Sequence, residues 1–124
     1  MSWNMRSLTL AKHYINDLVN EYDFDIICLS EHRLFQCELY KLGLINTEYI
    51  YNGKSSKDLK CRDQNIKRGN CGVAILWKKT LVHRVRVMKI NSDRMCGIEI
   101  LNVINGNSLY IIIFLSKVVK FQAM

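Results

Sequence analysis

The hydrophobic period changes twice within the first thirty residues, and this constrains the fold more than any other feature of the chain. The segment Ser2-Trp3-Asn4-Met5-Arg6-Ser7-Leu8 has strand character and closes on Ser7 and Thr9, either of which suits a helix N-cap. Leu8, Ala11, Tyr14, Ile15, Leu18, Val19 and Tyr22 then recur at the spacing of one helical face. Beyond Tyr22-Asp23-Phe24-Asp25 comes Ile26-Ile27-Cys28-Leu29, a short unbroken apolar run of the kind found in strands buried on both faces. Strand, helix and strand in about 30 residues form a βαβ unit, so the two strands are expected parallel, with a right-handed crossover.

The remainder reads mainly as strands. Gln36 to Leu44 has partial helical spacing, and Glu48 to Tyr51 suits a short strand. Residues 52–70 are polar, basic and aperiodic, which predicts an exposed loop. Gly72 to Trp77 is another buried-strand run, stopped by Lys78-Lys79. From Val82 to Ile90, Arg84 and Arg86 alternate with Val85 and Val87, as in a half-exposed strand. Cys96 to Val103 and Ser108 to Leu115 are two more strands, and Asn105-Gly106 between them signals a hairpin turn. One early helix and about six strands predict an α/β fold with helices covering one face of a mixed sheet.

At 124 residues the chain is one domain or part of one, and 49% hydrophobic with 23% charged residues excludes wholesale disorder. Lys and Arg number 18 against 11 acidic residues, a net +7 that suits a polyanionic partner and equally a soluble basic surface. Five cysteines, at 28, 37, 61, 71 and 96, lack any Cys-x-x-Cys pair, so reduced thiols and an intracellular setting, nuclear or cytoplasmic, are expected. No basic-then-apolar leader opens the chain. The longest apolar stretch, Leu109 to Leu115, is far short of the ~20 residues that span a bilayer, so no membrane is expected.

In a parallel βαβ unit both strands end on the same side of the sheet, where α/β folds place their ligands. Asn4 follows the first strand and Glu31, His32 and Arg33 follow the second. A carboxylate beside an amide suits Mg²⁺, a hard cation that keeps waters for a phosphate to displace. On that reading His32 and Arg33 face an anionic substrate. On the plainer one the triplet is the solvated start of a loop, and the residues alone leave both open. Gly69-Asn70-Cys71-Gly72 lacks the Gly-Lys-Ser/Thr ending of a phosphate-cradling loop.

The ordered set SWNMRSL, a helix, DIICLSEHRL, a basic loop, GNCGVAILWKK, DRMCGIEI and LYIIIF resembles the N-terminal half of the endonuclease/exonuclease/phosphatase family. The branch it is most similar to is the endonuclease of non-LTR retrotransposons, whose proteins often open with W-N-x-R-S-L and continue through L-S-E-H and G-G-V-A-I-L-W. The likeness spans residues 2 to 115. It implies half of a two-sheet α/β sandwich with helices on the outer face, and Mg²⁺- or Mn²⁺-dependent cleavage of phosphodiester bonds in DNA or RNA. It also implies that Glu31 is the metal-binding glutamate and Asn4 the active-site asparagine. Arg6 stands where some relatives have an aspartate, which removes one metal contact. Lys67, Arg68 and Lys78 are candidate phosphate-binding cations.

The same resemblance implies parts that this sequence lacks. A Y-x-P segment normally follows the strand matched by Leu109 to Leu115, where this chain reads Phe114-Leu115-Ser116. An Asp-x-Asn pair and a Ser-Asp-His set come later in the family. Here the only aspartate after residue 63 is Asp93, and no histidine follows His83. A partial family domain over residues 1–116 with a divergent tail over 117–124 is therefore expected, inactive as a nuclease on its own. Two alternatives stand beside it. One is a nucleic-acid-binding module that grips phosphates through Lys54, Lys57, Lys60, Arg62, Lys67, Arg68, Lys78, Lys79, Arg84 and Arg86 without cleaving. The other is a protein that associates through an inner sheet face left uncovered by the missing half.

Overall fold

The computed structural model describes residues 2–4, 8–55, 72–92, 94–102, 104–114 and 117–123. Strand β1 (Ser2–Asn4) leads into helix α1 (Leu8–Tyr22), and β2 (Ile26–Ser30) returns parallel to β1 with Ser2 beside Cys28 and Asn4 beside Ser30. The βαβ unit is thus present as the sequence predicts. Helix α1 ends at Asp23, which takes a left-handed backbone (φ 55) while its N–H bonds the Val19 carbonyl at 2.9 Å, an aspartate in the role glycine more often fills.

A 3-10 helix (Gln36–Leu44) leads to β3 (Tyr49–Lys54), and β4 (Val73–Lys78) runs antiparallel between β2 and β3. The first sheet therefore has the order β1-β2-β4-β3 and is mixed. Strand β3 reaches three residues into the stretch that reads as loop, and residues 56–71 lie outside the described ones. The span Val82 to Ile90 is a strand only at β5 (Val85–Val87). Strands β6 (Met95–Leu101) and β7 (Ser108–Phe114) form the expected hairpin, whose turn carries Gly106 at φ 73. An eighth strand, β8 (Lys117–Ala123), occupies the stretch that the sequence reading leaves as a tail, and it pairs with the full length of β7. These four make a second, antiparallel sheet, β5-β6-β7-β8.

The alternation of side chains along β2 and β4 explains why their sequences are apolar throughout. Ile27, Leu29, Ala74 and Leu76 face outward onto Ala11, Ile15 and Val19 of α1 and onto Leu42, Ile45 and Tyr49. Tyr49 closes this layer by donating its hydroxyl to the Phe24 carbonyl. Cys28, Val73, Ile75 and Trp77 face inward and pack on Cys96, Ile98, Ile111 and Ile113 of the second sheet. Helix, sheet and sheet are three layers with two cores between them.

Two expectations are corrected. The inner face of the first sheet is not bare, because residues 85–123 fold as a second sheet across it instead of widening the first. The cysteines are not all reduced: Cys28 and Cys96 are free and buried, whereas Cys37, exposed on the 3-10 helix, is in a disulfide whose partner lies outside the described residues. Among the described residues no helix is long and apolar enough to cross a membrane.

The inter-sheet core sets the first tests. Ile98, 0% exposed, fills the space between the sheets, so Ile98→Ala should cost about 2–5 kcal/mol in urea unfolding. Val119→Ala on the outer face, 41% exposed, should stay within about 0.5 kcal/mol of the parent. Burial pushes the Cys28 thiol up and that of Cys96 up to about 12. Neither should be alkylated by iodoacetamide at pH 8 until the chain is unfolded, as mass spectrometry of the labelled peptides would reveal.

Candidate active site

Strand register brings one end of the first sheet into a single row. Asn4 lies beside Ser30, Ser30 beside Val73, and Val73 beside Lys54, so β1, β2, β4 and β3 meet there in turn. Glu31 is the first residue past this row. Asn4, on β1, and Glu31, just past the end of β2, are thus at neighbouring parallel strand ends, with Ser30 the residue beside Asn4. The Glu31 side chain is half-exposed, and its backbone is left-handed at φ 56. Arg33 is left-handed as well, at φ 57.

For residues other than glycine this conformation costs roughly 1–2 kcal/mol each, so something must hold the turn. Between the two, His32 ties the turn to neighbouring backbone. It is 0% exposed, which overturns both the expectation that it faces an anionic substrate and the expectation that it starts a solvated loop. Its Nδ1 accepts the Leu34 N–H at 3.0 Å, which leaves the proton on Nε2 to be donated to the Lys54 carbonyl at 2.9 Å. Burial lowers its pKa, only partly offset by the backbone of Lys54 and of Val73, so the ring is held neutral.

The ring also dictates what may precede β4. Gly72 has φ 104, and a Cβ there would come within 2.2–2.6 Å of three imidazole atoms. Only glycine allows the chain to pass at this distance. Lys54 extends the junction toward the second sheet by donating its ammonium to the Ile90 carbonyl at 2.8 Å. The sequence reading missed His32, Gly72 and Lys54 as a group. A glycine at the start of a strand beside a histidine-bearing turn was the available signal, since such glycines mark close approach.

The remaining candidates are not brought to this end. Lys78 lies where β4 meets the start of β2, a full strand length from Glu31, and its ammonium is 2.5 Å from Asp23 and 3.7 Å from Asp25. Lys67 and Arg68 lie outside the described residues. Among the described residues no group of three or more His, Cys, Asp or Glu side chains gathers as a metal cage. A cavity of about 750 Å³ opens between the sheets at the end opposite Glu31, lined by Ser2, Asp25, Cys28, Arg84, Ile111 and Lys120 among others.

A carboxylate lies just past a βαβ strand tip with an asparagine on the adjoining strand, and the comparison with known families decides which family the motifs belong to. Residues 1–114 match the family described as Endonuclease/Exonuclease/phosphatase family. The chain belongs to this family. No curated protein matches it in sequence. Among solved structures it is similar to the AP endonuclease LMAP from Leishmania major, with TM-score 0.69 and 16% identity over 91% of this chain. It spans 38% of that protein's length. A humanized D. rerio TDP2 gives TM-score 0.43 and 12% identity over 98% of this chain and 46% of its own. The human Nocturnin catalytic domain gives 0.43 and 16% over 89% and 47%. The family member's fold, half of a two-sheet α/β sandwich, is the one the sequence implies.

The contact between Gly72 and His32 sets a sharp test. Gly72→Ala forces an L side chain into a left-handed backbone and into the imidazole, and should destabilise the chain by about 2–4 kcal/mol in urea unfolding. A loss under about 0.5 kcal/mol would mean the ring is not packed there.

Proposed function

We propose that the chain is the metal-bearing, N-terminal part of a nucleic-acid endonuclease domain of the non-LTR retrotransposon type, and that alone it does not cleave. The observation that carries this reading is the position of Glu31, directly past a strand tip that pairs with Asn4. The family membership, the likeness to an AP endonuclease and the order of the retrotransposon-type motifs support a phosphodiester of DNA or RNA as the substrate class.

The residues at this end fit a divalent metal of one kind. Among the described residues the donor is one half-exposed carboxylate, outside any group of three or more His, Cys, Asp or Glu side chains and with both nitrogens of the neighbouring His32 bonded to backbone. This suits a hard cation that keeps most of its waters, Mg²⁺ or Mn²⁺, and does not suit a closed cage of soft ligands. Glu31 would hold the ion, with Asn4 beside it. When bound, such an ion supplies charge stabilisation at a phosphate oxygen. Binding by one carboxylate is expected to be weak.

Hydrolysis also needs a base for the water and donors for the charge that builds on phosphorus. The sequence carries no Y-x-P, Asp-x-Asn or Ser-Asp-His set after Leu109. Since losing one member of such a set already costs about 10²–10⁴ in rate, losing all of them leaves no useful turnover. A binding module without catalysis is less well supported: two of the cations it would use, Lys54 and Lys78, are engaged with the Ile90 carbonyl and with Asp23.

The test is plasmid nicking by the purified 124-residue chain in Mg²⁺ and in Mn²⁺. Supercoiled DNA should persist at the level seen with Glu31→Ala. Efficient Mg²⁺-dependent nicking that Glu31→Ala abolishes would overturn the inactivity.

A further inference from the structure

We propose that His32 is the positioning residue for the Glu31 carboxylate, acting through its two backbone hydrogen bonds and not by touching metal or substrate. This rests on reading Glu31 as the metal-binding residue and adds to it the device that aims the carboxylate.

Glu31 stands between two fixed points. Behind it is Ser30, 4% exposed and the last residue of β2 in register with its neighbours, Asn4 on one side and Val73 on the other. Past Ser30 that register ends. The next anchor is His32, bonded to the Lys54 carbonyl at the end of β3 and to the Leu34 N–H two residues on, with Gly72 against its ring at the start of β4. The imidazole thus joins the ends of β2, β3 and β4, and the only residue suspended between the sheet and this joint is Glu31.

The direction of the carboxylate follows from that suspension. The φ of Glu31 decides where its Cβ points, and at 56 it is in a region that a free glutamate leaves. Buried Leu34 and Phe35 anchor the chain past the turn, but the His32 bonds are what tie the turn itself to β3 and to Leu34, and without them it relaxes to negative φ with the carboxylate swung away. Metal sites tolerate only about 0.5 Å of such drift. A buried, neutral, doubly bonded ring is a stiffer support than a surface loop, which explains why a polar residue is placed where the core would accept an apolar one.

The experiment measures Mn²⁺ binding, not turnover. Isotope-labelled chain is titrated with Mn²⁺, and the dissociation constant is read from paramagnetic broadening of amide signals around Ser30 to Leu34, with thermal midpoints recorded for every variant. The parent should show broadening there that Glu31→Gln removes. His32→Ala, and His32→Leu, which keeps the volume without the bonds, should weaken binding by about tenfold or more, as loss of a ligand's outer partner does. His32→Gln, whose amide N–H can replace Nε2–H toward Lys54, should recover most of it.

If the folded His32 variants bind within about twofold of the parent while their midpoints fall, the histidine is a packing element only and the proposal is overturned. If Glu31→Gln leaves the broadening of the parent unchanged, the reading of Glu31 itself fails and takes this one with it. Should neither His32→Ala nor His32→Leu fold, His32→Gln and His32→Asn decide: Gln binding more tightly than Asn supports the proposal, and both matching the parent overturns it.

Discussion

Strands β2 and β4 are buried on both faces, and the rest of the molecule is arranged around that constraint. Each must serve two cores with alternate residues: Ile27, Leu29, Ala74 and Leu76 toward the helices, and Cys28, Val73, Ile75 and Trp77 toward the second sheet. Full burial of an aliphatic side chain contributes about 1.5–3 kcal/mol, so neither core can be given up without exposing a large apolar face. The chain meets both demands from its own residues, with α1 and the 3-10 helix on one side and β5 to β8 on the other. The central pair is therefore rigid, and it is at the tip of this pair that Glu31 emerges.

What the sequence conveys, and what it does not, follows from how local each signal is. The βαβ unit is legible because its evidence is a change of period within about thirty residues, and the β6–β7 hairpin because Asn105-Gly106 sits between two apolar runs. Whether later strands widen the first sheet or build a second one is a non-local matter. Val85 and Val87 alternate with charged residues in either case, and only the packing of Cys96, Ile98, Ile111 and Ile113 across Ile75 decides it. Strand β8 escapes for a related reason: Lys117-Val118-Val119-Lys120 gains its strand character from pairing with Ile111, Ile112 and Ile113, not from its own pattern.

The candidate site divides the same way. Glu31 and Asn4 are legible because parallel strands end on the same side, a consequence of topology that the period already fixes. His32 is not. A histidine between a glutamate and an arginine looks solvated, and its burial depends on a carbonyl 22 residues downstream and on the missing side chain of Gly72. Lys54 and Lys78 teach the complementary lesson. Both are among the 18 cations of the sequence, yet one spends its ammonium on the Ile90 carbonyl and the other pairs with Asp23, so a count of cations is not a count of groups free to meet a phosphate backbone.

These placements separate stability from chemistry. Among the described residues the two cores draw on neighbouring elements, the helices on one side of the first sheet and the second sheet on the other. A hydrolytic site is different, since groups that hold a metal, activate water and steady the phosphate must converge from segments far apart in sequence. On the proposed reading, the chain, which spans 38% of the length of a fold relative, carries the residues that would hold the ion. Glu31 and Arg33 hold a left-handed backbone on either side of a buried imidazole, a conformation that costs more than an ordinary turn. On the proposed reading that turn is the device by which the sheet end aims the Glu31 carboxylate.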